Sequence, residues 1–327
     1  MGRFLAEHFE PQTTRDAAKR LFRDAVLRIE METHSYCNRR CGYCPNATGE
    51  RLTPNRRMPD RLFDRIIADL AEIGYAHMLV FNGYNEPLAD RQILKRLAEA
   101  RTALPRCTTR IYTNGDYLTP TYVEELAAAG LSSMHVSVHM NPADVYSDVY
   151  AMNRIAEIAQ RVGIRPNYKR LTPNRLLVAE FPHQPIEMEI RAINYWSEGE
   201  SRGGLISGIK EEYQRHLPCH FPFFHFNIGF EGQIAPCCHL GSGRAEQESY
   251  LIGRLDDFGS IYEAFASSAA AGWRRHLAGF EAKASPCDHC SVGFMDGSKK
   301  TLDAYAKFYR DRIKSWLKCG DTSAAPG

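Results

Sequence analysis

Three cysteines within eight residues constrain this chain more than any other feature. In Cys37-Asn38-Arg39-Arg40-Cys41-Gly42-Tyr43-Cys44 the thiols are separated by three and then two residues, directly after the apolar run Val26 to Met31. Thiols so spaced can wrap one face of an iron–sulfur cube and leave the fourth iron without a protein ligand, free to bind another molecule. A structural zinc site would need four ligands closed around the ion. The Cys-x3-Cys-x2-Cys pattern is also far more specific than a lone Cys-x2-Cys, so the cluster is the preferred reading.

The 327 residues suffice for one large domain and a smaller one. The formal charge is +2, from 41 basic and 39 acidic residues without a long single-sign block. That balance indicates no nucleic-acid or membrane-surface partner and argues weakly against a polyanionic substrate. The N-terminal Met1 to His8 lacks a secretory apolar core, no stretch approaches membrane-spanning length, and the expected location is cytoplasmic. Ten cysteines in a chain of this size, clustered and without a signal peptide, suggest metal rather than disulfides.

Along the chain, helical spacing over Thr13 to Asp24 predicts an N-terminal helix, followed by a strand over Ala25 to Met31 that delivers the cysteine loop. The pattern then alternates: helix Pro59 to Ile73, strand His77 to Phe81, helix Arg91 to Ala103, strand Thr109 to Tyr112, helix Pro120 to Ala128, strand Ser133 to Val138, and a helix from about Ala143 to Val162. Such alternation implies a parallel sheet with functional residues at the C-terminal strand ends. Arg165 to Leu171 and Ile186 to Ile193 are expected as the last two strands. Within the second, alternation places Glu187, Glu189 and Arg191 on one face. A solvated face is the commoner explanation; lining a barrel interior, to recognise a polar substrate, is the alternative. Glu198 to Gly204 has linker composition and suggests a domain boundary near residue 205.

The three-cysteine loop and the alternation behind it resemble the radical S-adenosylmethionine (SAM) superfamily, with Tyr43 matching the usual aromatic before the third cysteine. The resemblance implies a partial (β/α)6 barrel over residues 25–205, after an N-terminal helical segment at 1–24. Gly83-Tyr84-Asn85-Glu86-Pro87 is similar to the family's Gly-Gly-Glu-Pro segment, which would place Gly83, Asn85 and Glu86 near the SAM amino group. Asn114 and Ser137, at strand ends, would hold the ribose and carboxylate.

A second cysteine set, Cys219, Cys237, Cys287 and Cys290, resembles the twitch domain, a shortened SPASM domain, over residues 206–300, with a C-terminal helix and disordered tail at 301–327. Taken alone, these paired cysteines would suit a zinc ribbon. Behind the first motif the resemblance implies an auxiliary [4Fe–4S] cluster, and Ser291 to Lys318 contains no further cysteine for another. Cys238 is adjacent to a ligand, so both side chains cannot easily reach one iron; it is a buried small residue or a hydrogen-atom donor. Cys319 is a further candidate thiol, and Cys107 lies outside any pattern.

The resemblance implies two [4Fe–4S] clusters, SAM, a flavodoxin- or ferredoxin-type electron donor, and hydrogen-atom abstraction by a 5′-deoxyadenosyl radical. The four-cysteine arrangement is most similar to the aminocyclitol (2-deoxy-scyllo-inosamine) dehydrogenase type. There the outcome is a two-electron oxidation, for which Arg202, His225 or Tyr195 are the candidate bases. Arginine is a poor base in water because of its high pKa. Epimerisation, with Cys238 or Cys319 as donor, and peptide maturation are the alternatives. The expected substrate is a small polar molecule such as a sugar, an aminocyclitol or an aminoglycoside-like intermediate. A zinc-stabilised binding module would require the first motif to be accidental.

Overall fold

The computed structural model describes residues 7–47, 53–141, 144–181, 185–241 and 245–292. Helix α1, Arg15–Ala25, starts where the Thr14 hydroxyl accepts the Ala17 N–H and buries Ala18, Leu21, Phe22 and Ala25. It leads into strand β1, Arg28–Met31, which sits in the middle of one ten-stranded sheet.

The sheet order is β10-β9-β8-β1-β2-β3-β4-β7-β6-β5. Strands β2 (Met78–Phe81), β3 (Thr108–Thr113) and β4 (Ser133–Val138) follow β1 in parallel, joined by α2 (Asp60–Glu72), α3 (Gln92–Ala103) and α4 (Pro120–Ala128). Helix α5, Asp148–Arg161, precedes β5 (Asn167–Thr172), β6 (Leu176–Phe181) and β7 (Glu187–Ile193), and β7 returns parallel to β4. Strands β2 and β4 are almost wholly buried, as parallel strands covered on both faces must be. The fold is thus mixed α/β, built on six parallel strands. The sixth is β8 (His225–Ile228), which pairs with the other edge of β1.

Two expectations are corrected. Arg165 to Leu171 does not supply a parallel barrel strand: β5 pairs antiparallel with β6, and β6 antiparallel with β7, as a hairpin on the sheet edge. The hairpin turns at Asn174, whose φ of 54° is a left-handed conformation tolerated by asparagine, and β5 is largely exposed and so carries no apolar signal. Helix α5 starts at Asp148 rather than near Ala143, because Ser147 is extended and its hydroxyl caps the Tyr150 N–H.

The polar face of β7 lies beside β4. Glu189 is the register partner of His135 and Arg191 of Ser137, and the Glu189 carboxylate lies 3.6 Å from His135 Nε2. Side chains of directly paired strand residues share a face, so these charges lie on the side of the sheet that His135 and Ser137 share, with Glu187 exposed and Glu189 and Arg191 half-exposed. After β7 come α6 (Tyr195–Glu198) and the glycine-rich 199–204 segment. That segment is packed: the Glu200 carboxylate accepts both the N–H and the hydroxyl of Ser291.

The C-terminal part is α7 (Phe221–Phe224), the β8–β9 hairpin with β9 at Gln233–Ala235, strand β10 (Gly253–Arg254), and helices α8 (Ile261–Phe265) and α9 (Ser268–Ala278). Phe22 of α1 meets Phe226 of β8 and Phe265 of α8 edge-on, with centroids 5.3 and 5.5 Å away. These rings fasten the later elements to the barrel through geometry that aromatic pairs favour. The expected helix and tail beyond 300 lie outside the described residues.

Candidate active site

The C-terminal ends of the parallel strands surround a chamber of about 340 Å³. Cys37, Cys41 and Cys44 line it together, on the loop after β1. The loop is shaped by its own backbone: the Cys44 N–H donates to the Cys41 carbonyl at 2.9 Å, and the Arg39 N–H approaches Cys37 Sγ at 3.4 Å. Arg39 clamps Asp116 with two bonds of 2.6 Å, a bidentate pair that ties the loop to the end of β3. Tyr43 stacks on Tyr195 at 4.6 Å, and its hydroxyl accepts the Met140 N–H. Burial pushes the Cys37 thiol up to about 12 and Cys41 up to about 11. Without a metal these are neutral thiols; a coordinated metal reverses that, because it holds the thiolate directly.

The segment after β2 supplies the next wall. Glu86 is buried, accepting the Asn114 N–H at 2.7 Å, the Thr113 hydroxyl at 2.5 Å and the Leu88 N–H at 3.1 Å. Desolvation nevertheless dominates and raises its carboxyl to about 7. Asn85 beside it is buried with neither side-chain polar atom partnered among the described residues. Since an unpaired buried amide is costly, the chamber holds room and hydrogen-bonding capacity for a polar ligand there. Gly83 follows from crowding: a Cβ at that position would lie 2.9 Å from Glu32. Asn114 and Ser137 complete this wall at the ends of β3 and β4.

Arg202 and Cys238 also line the chamber. Arg202 takes a left-handed φ of 55°, uncommon for a residue other than glycine, ahead of two glycines at 67° and 84°. It donates to His239 Nδ1 at 2.8 Å, and among the described residues no carboxylate pairs with it. Desolvation disfavours its charge, yet a guanidinium starts so far above neutrality that the group stays cationic. A permanent cation donates hydrogen bonds and does not accept a proton. Burial raises Tyr195 and pushes the Cys238 thiol up to about 12. His225 on β8 does not line the chamber; its ring lies 4.7 Å from Phe221. Cys319 is outside the described residues. Cys107 is buried against the Tyr75 carbonyl and lines neither thiol cavity.

Cys219, Cys237, Cys287 and Cys290 gather around a second, small cavity, walled by Phe221, Trp273 and Leu277. Cys237 and Cys238 are adjacent in sequence yet line different cavities. Arg215 is fully buried beside this second group, donating to the carbonyls of Leu217, Pro218, Cys290 and Val292 and reaching Cys290 Sγ at 3.9 Å. Among the described residues no three His, Cys, Asp or Glu side chains converge closely enough for a single metal ion. Four thiols around one cavity are a donor set that both an iron–sulfur cluster and a structural zinc ion use.

The floor of the chamber went unrecognised in the sequence. Arg28, Glu30, Asn82 and Tyr112 line it. The available signal was the alternation of Arg28, Glu30 and Glu32 in the strand that delivers the cysteine loop.

Residues 31–170 match the model of the radical SAM superfamily. The chain is 31% identical over 209 residues, 64% of its length, to the S-adenosyl-L-methionine-dependent 2-deoxy-scyllo-inosamine dehydrogenase of Niallia circulans, and spans 72% of that protein. The chain belongs to the radical SAM superfamily. A second relative, the GTP 3′,8-cyclase of Heliobacterium modesticaldum, is 30% identical over 37% of each chain. The fold is similar to that of BtrN in complex with AdoMet and 2-DOIA, with a TM-score of 0.57 and 19% identity over 77% of this chain and 87% of the other. It is also similar to an open conformation of BtrN, with a TM-score of 0.50. Membership implies SAM and a [4Fe–4S] cluster, and the three-thiol loop with the chamber beside it fits both. Among the described residues, no helix of this radical SAM protein is long and apolar enough to cross a membrane.

Proposed function

We propose that this radical SAM enzyme oxidises an alcohol of a small polar ring, a sugar, aminocyclitol or related compound, by two electrons. The observation that carries the reading is the back-to-back pair Cys237 and Cys238: one faces the chamber and the other belongs to the four-thiol cavity next to it. Bound at Cys37, Cys41 and Cys44, a cluster with SAM supplies a radical able to remove a hydrogen atom from an unactivated carbon. The four-thiol cavity holds an auxiliary [4Fe–4S] cluster as electron acceptor, and buried Arg215 beside Cys290 offsets its negative charge. A flavodoxin- or ferredoxin-type protein supplies the initiating electron.

The chain's own residues position and enclose. Glu86 and Asn85 receive the SAM amino group, while Asn114 and Ser137 receive its ribose and carboxylate. Arg202 presents donors to the substrate oxygen, which makes it an orienting cation rather than the base, and the hydroxyl proton leaves to solvent. Proximity of this kind is a large part of what a protein contributes to cofactor chemistry. The similarity to a 2-deoxy-scyllo-inosamine dehydrogenase supports the same substrate class.

Epimerisation is a second reading, favoured by one observation: the Cys238 thiol lines the chamber and burial keeps it protonated, as a hydrogen-atom donor must be. Product analysis decides between them. Anaerobic turnover of a cyclitol alcohol should give 5′-deoxyadenosine and a product lighter by two hydrogens in equal amounts. A product of unchanged mass in ordinary water, carrying one deuterium at an inverted carbon when made in deuterated water, would replace dehydrogenation with epimerisation by Cys238.

A further inference from the structure

The floor of the chamber carries unspent hydrogen-bonding capacity that SAM-binding positions do not use. Glu30 on β1 is buried, 6% exposed, with Oε2 accepting Arg28 Nη2 at 2.7 Å and Oε1 accepting Asn82 Nδ2 at 2.8 Å. Its register partner on β8 is Asn227, 7% exposed. Neither amide atom of Asn227 has a partner among the described residues, and the same is true of Asn82 Oδ1 and Arg28 Nε. Asn227, Glu30, Asn82 and Cys238 line an annex of about 30 Å³, and three of them, all but Asn227, also line the chamber. That annex takes one water or one ring substituent, not a ring.

The unfilled atoms identify the ligand chemistry. Each ionised carboxylate oxygen accepts more than one bond, so Glu30, Asn82 Oδ1 and Asn227 Oδ1 all accept further, whereas Asn227 Nδ2 and Arg28 Nε donate. A carboxylate or phosphate, which only accepts, would leave those acceptors unpaired and would face Glu30. Hydroxyl and amine groups on neighbouring carbons satisfy both sets.

We propose that Glu30, Asn82 and Asn227 are the platform that recognises the substrate, engaging two adjacent hydroxyl or amine substituents of a polyhydroxylated ring, one of them seated in the annex. This rests on the reading of the chamber as the place where a small polar substrate meets SAM. Asn227 acts here as a binding residue rather than a structural one, which explains a buried amide left without a protein partner.

Calorimetry on the reconstituted holoenzyme with SAM, anaerobic and without reductant, tests it with three probes: 2-deoxy-scyllo-inosamine, myo-inositol and glucuronate. The expected result is binding of 2-deoxy-scyllo-inosamine with a Kd below about 1 mM, weakened at least roughly tenfold by Glu30→Gln and by Asn227→Ala. Asn227→Ala should not lower folding stability, because the alanine leaves no unpaired amide. Glucuronate should bind at least roughly tenfold more weakly than either cyclitol. Unchanged cyclitol affinity in both variants, glucuronate binding as tight as the cyclitols, or no cyclitol binding at 10 mM, roughly ten times the expected Kd, would each overturn the platform. Separately, wild-type enzyme with dithionite and SAM should release 5′-deoxyadenosine; failure there would sink the radical reading while leaving the binding result to stand on its own.

Discussion

The two thiol groups differ in number and in what surrounds them. Cys37, Cys41 and Cys44 open onto a chamber walled by polar side chains with unmet hydrogen bonds; Cys219, Cys237, Cys287 and Cys290 close on a small cavity walled largely by aromatic and aliphatic groups. Three ligands and an open wall leave a coordination position for another molecule, whereas four ligands and an apolar wall leave none. On the proposed function, the first group serves binding and cleavage and the second holds charge. Cys238 sits on the boundary, on the same short segment as a member of the closed group but facing the open one.

The largest effect that would separate the two regions comes from the open group. Cys41→Ser should reduce 5′-deoxyadenosine formation to background, measured by chromatography after dithionite reduction. Retained SAM cleavage would break the comparison by moving the reactive centre elsewhere. Next, Cys287→Ser should lower dehydrogenated product by roughly a hundredfold, as expected for damage to a metal site, while 5′-deoxyadenosine still forms. If both products fall together, the closed group is needed for more than electron acceptance.

A smaller effect concerns the open region's electrostatics. Burial raises the Glu86 carboxyl from 4.5 to about 7, so at pH 6 it is mostly protonated and cannot pair with an ammonium group. SAM affinity, measured by calorimetry, should therefore increase roughly five- to tenfold between pH 6 and 7.5, and Glu86→Gln should flatten that rise. The same shift makes the ligand-free chain less stable as pH rises from 4.5 through 7, because the folded form holds the proton longer than the unfolded one. The smallest effect is at the seam. Tyr84→Phe removes the 2.9 Å bond from its hydroxyl to the His239 carbonyl, and denaturant unfolding should show a loss of about 1 kcal/mol.

What was legible in the sequence was local. The three thiols, Glu86 and Asn114 belong to short motifs at strand ends, and the alternation of strands and helices up to Val138 is carried by buried apolar runs. What was missed depends on partners far away in the chain. Strand β8 joins the barrel by pairing with β1, about two hundred residues earlier, and no periodicity within His225 to Ile228 encodes that neighbour. The β5–β6 hairpin has an exposed outer strand, so its residues carry no burial signal. Glu189 and Arg191 were ambiguous because alternation names a face but not its surroundings; only the pairing with β4 places it on the side that His135 and Ser137 share. The Glu30–Asn227 pair was invisible for the same reason: the charges of Arg28 and Glu30 at strand spacing mark a polar face but not that it lies inside. Glycine-rich composition around Gly203 reads as a tether, whereas the backbone from Arg202 to Gly204 is held left-handed.

Iron analysis of a Cys37/Cys41/Cys44 triple-alanine variant tests the division into an open and a closed centre most directly. The account predicts that wild-type protein reconstituted without oxygen holds about eight irons per chain and the variant about four, from one cube at each thiol group. An unchanged iron content in the variant, or wild-type protein that retains zinc at the four-thiol cavity in place of iron, would contradict it.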